Sequence, residues 1–351
     1  MRVGIAFDLV PSGPSHPESD GPDDRFEEFD KPATVEAISA VLRGRGHEVI
    51  LLGDGPEFVR RVLDDPPDLV WNMAEGQGAG RCREARVPAV LEMLGIPHTG
   101  SDPLTLAATL DKHVAKQLVA SAGVSVAPGR ALPPDLGASQ FRSEVGPLFR
   151  GPDGRVLLKP AFEGSSKGIR ASCLVRSVDD GWSTFRRLAD DYRQTILAEE
   201  FIVGDEVTVG LLGGGEGCPI TEIGIMRVIP RDADPWFVYS LEVKRDWEAR
   251  VAYESPARMD AATLDRLGMA SKLSYDALGC RDLARIDFRV RSGIPYFIEA
   301  NPLPGLAPGT SDLVILAEGC GLPYPDLIGR ILDTALGRLG LAENRVGTFG
   351  R

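Results

Sequence analysis

Two short runs in the last third of the chain carry the residue types that handle charged oxygens. Arg285-Ile286-Asp287-Phe288 and Phe297-Ile298-Glu299-Ala300-Asn301 alternate charged with apolar residues. In extended backbone a spacing of two puts Arg285 and Asp287 on one face, and Glu299 and Asn301 on one face. If the strands are neighbours, three oxygen ligands and a guanidinium converge. Carboxylate and amide oxygens on a rigid sheet suit Mg²⁺, which keeps waters and takes phosphate oxygens as its remaining ligands. The plain alternative is a solvated face of ordinary ion pairs.

A second candidate is Lys159-Pro160-Ala161-Phe162-Glu163-Gly164-Ser165-Ser166-Lys167-Gly168, which lies between two apolar runs. Small residues let backbone N–H groups approach phosphate oxygens, and the hydroxyls of Ser165 and Ser166 add donors. The pattern is not a Walker A motif, because GxxxxGK[ST] before a helix is absent. A third candidate is Ala198-Glu199-Glu200-Phe201-Ile202 followed by Asp205-Glu206. Its backbone is able to pair with an adenine edge, Phe201 and Ile202 to meet the ring, and the carboxylates to hold ribose hydroxyls.

The elements that must position these residues read as three segments. Residues 3–9 form an apolar strand, and 32–45 a helix with Val35, Ile38, Val41 and Leu42 on one face. Pro32 suits its first turn and Gly46 its exit. Strand, helix and strand continue at 49–52, 57–63 and 69–72, which predicts an open, mainly parallel α/β sheet. Between the first strand and helix, residues 11–30 are rich in Pro, Ser, Gly and Asp. They read as a solvated loop, or as a lid or substrate loop, since α/β sheets bind ligands beyond the carboxyl ends of their strands. The middle segment has a helix from Asp111 to about Ala122, strands at 156–160, 169–175 and 195–200, and a helix at 178–190. The last has strands at 206–212, 220–228, 283–290 and 295–301, a helix at 260–278 and a closing helix from Tyr324. The expected domains are 1–110, an amino-terminal substrate domain; 111–200, a small central domain; and 201–345, carrying the metal site.

Composition bounds the function. A length of 351 residues exceeds one ordinary core and allows a cleft between domains. A net charge of -12 argues against non-specific nucleic-acid binding, which depends on surplus Lys and Arg. No stretch approaches the roughly 18 apolar residues of a membrane span, and 1–10 lacks a signal-peptide pattern. A cytoplasmic protein is expected. Cys82, Cys173, Cys218, Cys280 and Cys320 stand singly without metal-ligand spacing and read as unpaired thiols.

Taken in order, DK, KPxxEGSSxG, EEFIxGxEVTVxxLG, RIDF and FxEANxxPG resemble the ATP-grasp region of D-alanine-D-alanine ligases, from about Gly95 to Gly329. The resemblance implies an ATP-grasp fold and a carboxylate-amine ligase acting through an acyl phosphate with release of ADP and phosphate. It makes Lys112 and Lys159 phosphate ligands, and Glu163, Gly164, Ser165, Ser166 and Gly168 a phosphate-covering loop in which Ser165 also serves the reaction. Glu199, Glu200, Phe201 and Ile202 become the adenine hinge, and Glu206 the ribose carboxylate. Lys244 is the mobile-loop lysine that reaches the γ-phosphate, and Arg285 steadies the tetrahedral intermediate. Asp287, Glu299 and Asn301 are ligands of two Mg²⁺ ions, with Mn²⁺ an admissible substitute. The implied partners are a small carboxylate and a small amine, both amino acids, with no nucleic acid or membrane, and a homodimer stays open. The alternatives are an authentic D-alanine-D-alanine ligase of peptidoglycan synthesis, a non-catalytic ATP-binding module, and an ATP-grasp small-molecule kinase.

The substrate side departs from the family pattern. Where the family has His-Gly, this chain has Ala74-Glu75-Gly76, then Arg81 and Arg83; Arg245 stands where a tyrosine often follows the loop lysine. After Pro304-Gly305 the chain reads Leu306-Ala307-Pro308-Gly309-Thr310-Ser311-Asp312 instead of the family's serine-led continuation. Glu28, at the end of the 11–30 loop, is the candidate for the family's amino-group-binding glutamate. Three added arginines predict a cationic substrate side, and hence a substrate larger or more acidic than D-alanine.

Overall fold

The computed structural model describes residues 1–11, 21–215, 218–232 and 234–341. Residues 12–20 of the long first loop, and 342–345 of the last expected segment, lie outside them. Three sheets organise the described residues. The first contains β1 (Arg2–Ala6), β2 (Glu48–Gly53) and β3 (Leu69–Asn72), all parallel in the order β2-β1-β3. The helix Pro32–Gly44 covers one face with Val35, Ile38 and Leu42, in one cluster with Leu327, Ile331 and Leu332 of the closing helix Tyr324–Arg338. The first sheet is thereby clamped to the carboxyl-terminal part of the chain by apolar burial, which stabilises by roughly 25 cal/mol per Å².

The short β4 (Ser125–Val126) leaves this region and joins the third sheet. It follows the helix Lys112–Ser121, whose start is fixed by Asp111: the carboxylate accepts from the His113 and Val114 N–H groups. Such a cap contributes about 1 kcal/mol. The second sheet contains β5 (Gly129–Leu132), β6 (Val156–Pro160), β7 (Leu174–Val175) and β8 (Ile196–Glu200), antiparallel in the order β5-β8-β6-β7.

The expected strand at 169–175 shrinks to Leu174–Val175. Ile169 and Arg170 are irregular, and Ala171–Cys173 is a 3-10 turn. The cause is local. Gly168 adopts a left-handed φ of +73°, and the Ile169 carbonyl accepts from the Leu241 N–H rather than from a neighbouring strand. Gly168 has no substitute there, since a Cβ would stand 2.4 Å from Pro160.

The third sheet contains β9 (Asp205–Gly213), β10 (Thr221–Pro230), β11 (Val251–Glu254), β12 (Asp282–Arg291) and β13 (Ile294–Asn301), in the order β11-β10-β9-β12-β13-β4. The helix Ala261–Leu278 packs beneath it, and Val207, Val209, Ile286, Phe288 and Phe297 face that core. The segment around Lys244, which reads as a polar loop, is the short helix Leu241–Arg245. The helices Arg86–Leu94, Pro103–Leu110 and Asp312–Gly319 were not expected from sequence. No helix among the described residues is long and apolar enough to cross a membrane.

Candidate active site

The β12–β13 pairing brings the charged runs together as their alternation predicts. Asp287 stands opposite Glu299 and Arg285 opposite Asn301. The register shifts between Asp287 and Phe288, so that Phe288 pairs with Phe297 and Ile298 is the extra residue. This bulge is what lets Phe297 turn into the core against Phe288 while Glu299, two residues on, faces the cleft. The Arg285 guanidinium donates to Asp287 at 2.9 Å and to Asp312 at 3.1 Å, and Asn301 Nδ2 donates to Asp287 at 3.2 Å. From β9, Thr208 donates its hydroxyl to Asp287 at 2.9 Å.

One cleft joins this corner to the second sheet. It is lined by Lys112, Lys159, Ser165, Ser166, Lys244, Arg285, Asp287 and Glu299 at one end, and by Ala127, Leu157, Phe201, Ile202 and Val238 at the other. Three of its lysines are paired with carboxylates. Lys159 Nζ meets Glu199 at 2.6 Å, Lys116 Nζ meets the other oxygen of Glu199 at 2.9 Å, and Lys112 Nζ meets Glu299 at 3.1 Å. The lysines outweigh burial and hold both carboxyls far below the ordinary range, at about 2. Burial pushes the other way on Glu206 and raises it, although Arg289 lies 3.0 Å away. Lys244 is lowered by burial, against the pull of Asp312.

At the apolar end, Phe201 and Ile202 are buried, and the Arg289 guanidinium lies 4.9 Å from the Phe201 ring centroid. The Glu200 and Phe201 N–H groups bond to the carbonyls of Pro128 and Arg155. The Ile202 N–H has no acceptor among the described residues.

The covering loop differs from its expected form. The Gly164 N–H donates to Glu28, and the Gly168 N–H donates to Asp24 at 2.9 Å. Glu163 turns its carboxylate to Gln194 at 2.7 Å and to Lys167, while its carbonyl accepts from Lys112. Ser165 and Ser166, at φ of 51° and 59°, line the cleft with N–H groups that meet no acceptor among the described residues. The loop's unbonded N–H groups are therefore those of the two serines rather than those of Gly164 and Gly168.

A second cavity, a vestibule, opens where the first sheet meets this cleft. It shares Lys112, Ser165, Lys244, Arg285 and Glu299 with the cleft and adds Asp30, Glu75, Glu84 and residues 302–305. The expected cationic character is overturned. Arg81 pairs with Asp111 at 2.8 Å, Arg83 with Glu28 at 2.8 Å, and Arg245 with Glu27 at 2.7 Å. Each arginine is neutralised by a carboxylate of its own chain. Glu28 is correspondingly no open amine ligand: its side chain is 2% exposed and already holds Arg83, Lys167 and the Gly164 N–H. Asp30, Glu75 and Glu84 have no ion-pair partner among the described residues. Burial raises Asp30 to about 7 and Glu84 to about 8, and it raises Glu75 also. Gly76, at φ +76°, is needed beside them, because a Cβ would stand 2.5 Å from the Arg83 carbonyl.

Sequence reasoning missed Lys116, Arg289, Thr208 and Asp312. Lys116 follows Lys112 by four residues on a helix, and Arg289 follows Asp287 by two on a strand, so periodicity signals both. Asp312 gives no local signal, because it reaches Arg285 from the start of a helix far along the chain.

Residues 153–333 match the family described as D-ala D-ala ligase C-terminus. The D-alanine–D-alanine ligase of Anaeromyxobacter sp. strain Fw109-5 is 31% identical over 304 residues, covering 86% of this chain and 91% of that protein. The chain belongs to the D-alanine–D-alanine ligase family. The Gluconobacter oxydans ligase is 30% identical over 308 residues, at 86% and 93% coverage. The Bacillus anthracis ligase complexed with ATP superposes with a TM-score of 0.71 at 22% identity, over 96% of this chain and 98% of that one. VanG D-Ala:D-Ser ligase of Enterococcus faecalis gives a TM-score of 0.70 at 19% identity, over 95% and 99%. The fold is ATP-grasp, and this family member is an ATP-dependent carboxylate-amine ligase that forms a carbon–nitrogen bond; the family acts on small amino-acid substrates.

Proposed function

We propose that this ligase joins two amino acids through an acyl phosphate, with ATP in the cleft and both amino acids in the vestibule. The observation that carries this reading is the continuity of the two cavities through Lys112, Ser165, Lys244, Arg285 and Glu299. The adenine lies against Phe201 and Ile202, the ribose hydroxyls at Glu206, and the phosphates under Ser165 and Ser166 between Lys112, Lys159 and Lys244. Asp287, Glu299 and Asn301 present only oxygen ligands from side chains on adjacent strands, a set that fits Mg²⁺; Asn301 would turn its amide oxygen inward in place of the nitrogen it now gives Asp287. Bound Mg²⁺ offsets phosphate charge during phosphoryl transfer.

The carboxylate of one amino acid attacks the γ-phosphoryl group and ADP leaves, with Lys244 and Arg285 balancing the anions that meet. The amine of the other then attacks the acyl carbon, Arg285 steadies the oxyanion, and its collapse expels phosphate as the nitrogen gives up its proton. The acidic wall of Asp30, Glu75 and Glu84 suits a substrate ammonium, not the acidic substrate that the arginines alone suggest. D-alanine is the substrate in the relatives' names, and its use here makes the chain an authentic wall-synthesis ligase working in the cytoplasm. ADP release measured over D- and L-amino acids, singly and in pairs with mass spectrometry of products, tests the reading. A dipeptide product supports it; ATP turnover with no coupled product from any pair contradicts it.

A further inference from the structure

Residues 23–28 carry four carboxylates, and every one is bonded to an element that covers the nucleotide cleft. Asp24 is fully buried; it accepts from the Gly168 N–H at 2.9 Å and from the Tyr192 hydroxyl at 2.7 Å. Glu28 accepts from the Gly164 N–H and pairs with Lys167 at 3.0 Å. Asp23 pairs with Arg170 and, at 3.1 Å, with Arg245, which also holds Glu27. Arg245 directly follows Lys244 on the helix Leu241–Arg245. The two covers also touch each other, through the Leu241 N–H to the Ile169 carbonyl at 2.9 Å and the Ser166 hydroxyl to the Tyr239 carbonyl at 3.1 Å. On its other side the same segment lines the vestibule with Glu27 to Lys31.

We propose that residues 21–30 act as a strap, in which Asp24 and Arg245 are positioning residues that hold the serine loop and the Lys244 helix closed over the nucleotide together. A cover that lifts lets water reach the acyl phosphate and moves the Lys244 ammonium off the phosphate. Because the strap also walls the vestibule, closure over ATP depends on the segment that meets the amino acids. This inference rests on placing the phosphates under Ser165 and Ser166.

The test is hydrogen–deuterium exchange of the 163–170 amides in the full-length protein with Mg²⁺ and the non-hydrolysable analogue AMP-PNP, together with the analogue's dissociation rate. Arg245 is exposed and removes no amide acceptor in the loop, so Arg245→Ala is the cleaner variant; Asp24→Ala is the stronger. Both are expected to speed exchange at Lys167 and Ile169, whose carbonyl acceptors Gly164 and Ser166 are untouched, by about tenfold, and to speed analogue release similarly. The melting temperature of Arg245→Ala stays within a few degrees of the parent. Unchanged exchange and release in folded Arg245→Ala overturn the strap. Failure of AMP-PNP to bind or protect the parent protein overturns the nucleotide placement instead, which separates the two claims.

Discussion

In the nucleotide cleft Glu199 and Glu299 each meet a lysine within 3.1 Å, whereas Asp30, Glu75 and Glu84 in the adjoining vestibule meet no cation of the described chain at ion-pair distance. Both regions bury carboxyl groups, and they solve the cost differently. The cleft pairs these anions with its own lysines, which fixes the ammoniums in place. The vestibule lowers the cost by favouring protonated carboxyls. A buried acid without a partner is a poor way to build stability and a good way to receive an ammonium. In the proposed function, the contrast separates the residues assigned to the nucleotide from those assigned to the amino acid.

The largest expected effect is on the cleft side of the comparison. Glu299→Gln removes a carboxylate from the metal set and leaves Lys112 without its ion-pair partner; kcat for ADP release is expected to fall about 10³-fold. Full turnover in this variant, or in excess chelator, would falsify the metal assignment. Glu199→Gln attacks balance rather than chemistry. It strands the buried Lys116 and Lys159 ammoniums, and urea unfolding at pH 7 is expected to show a loss of about 3–5 kcal/mol. The sign follows from the lowered pKa: stability from Glu199 is present above its ordinary value of 4.5 and is lost as pH falls toward about 2. A loss below about 1 kcal/mol would mean that the lysines carry no such burden.

Lys244→Ala comes next. Its cation sits on the covering helix, so kcat is expected to fall about 10- to 100-fold while AMP-PNP affinity in the absence of amino acids changes less. Equal losses in both would place Lys244 in ground-state binding. The smallest effects belong to the vestibule and run the other way in pH. Glu84 and Asp30 titrate between about 7 and 8, so kcat/KM for the amino-acid substrate is expected to rise by about tenfold from pH 6 to 8.5 as they ionise to receive the ammonium. Their folded-state values are raised, so their stability contribution is present below about 4 and lost as pH rises through 7 to 8. Glu84→Gln should flatten the rate profile and raise stability at pH 8.5 by about 1 kcal/mol. A variant that loses stability at high pH, or keeps the full rate profile, breaks the contrast between the two regions.

What the sequence made legible tracks how locally each feature is encoded. Arg285, Asp287, Glu299 and Asn301 sit on regular strands, where a period of two dictates their faces, and the strands pair as neighbours in the chain. The helix at 32–44 and the strand at 69–72 followed from apolar spacing in the same way. The bulge at Ile298 left no signal, because it depends on which partner strand supplies the opposite residue. The loop at 163–168 was singled out by its small residues, but its glycine N–H groups went to Asp24 and Glu28 from 136 or more residues away. The arginines misled for the same reason: a residue type predicts a charge, while its partner arrives through the fold. Arg83 reads as a substrate contact until Glu28 is seen 2.8 Å from it.

Trapping with hydroxylamine tests the central claim most directly. The parent protein is supplied with ATP, Mg²⁺ and each amino acid that stimulates ADP release, with hydroxylamine in place of the second amine, and the products are read by mass spectrometry. An acyl phosphate formed between the cleft and the vestibule yields the amino-acid hydroxamate in proportion to ADP, and Glu299→Gln yields neither. ADP formed at an undiminished rate with no hydroxamate, or with a phosphorylated alcohol as the product, would contradict carboxylate activation and leave the cleft a phosphoryl-transfer site of another kind.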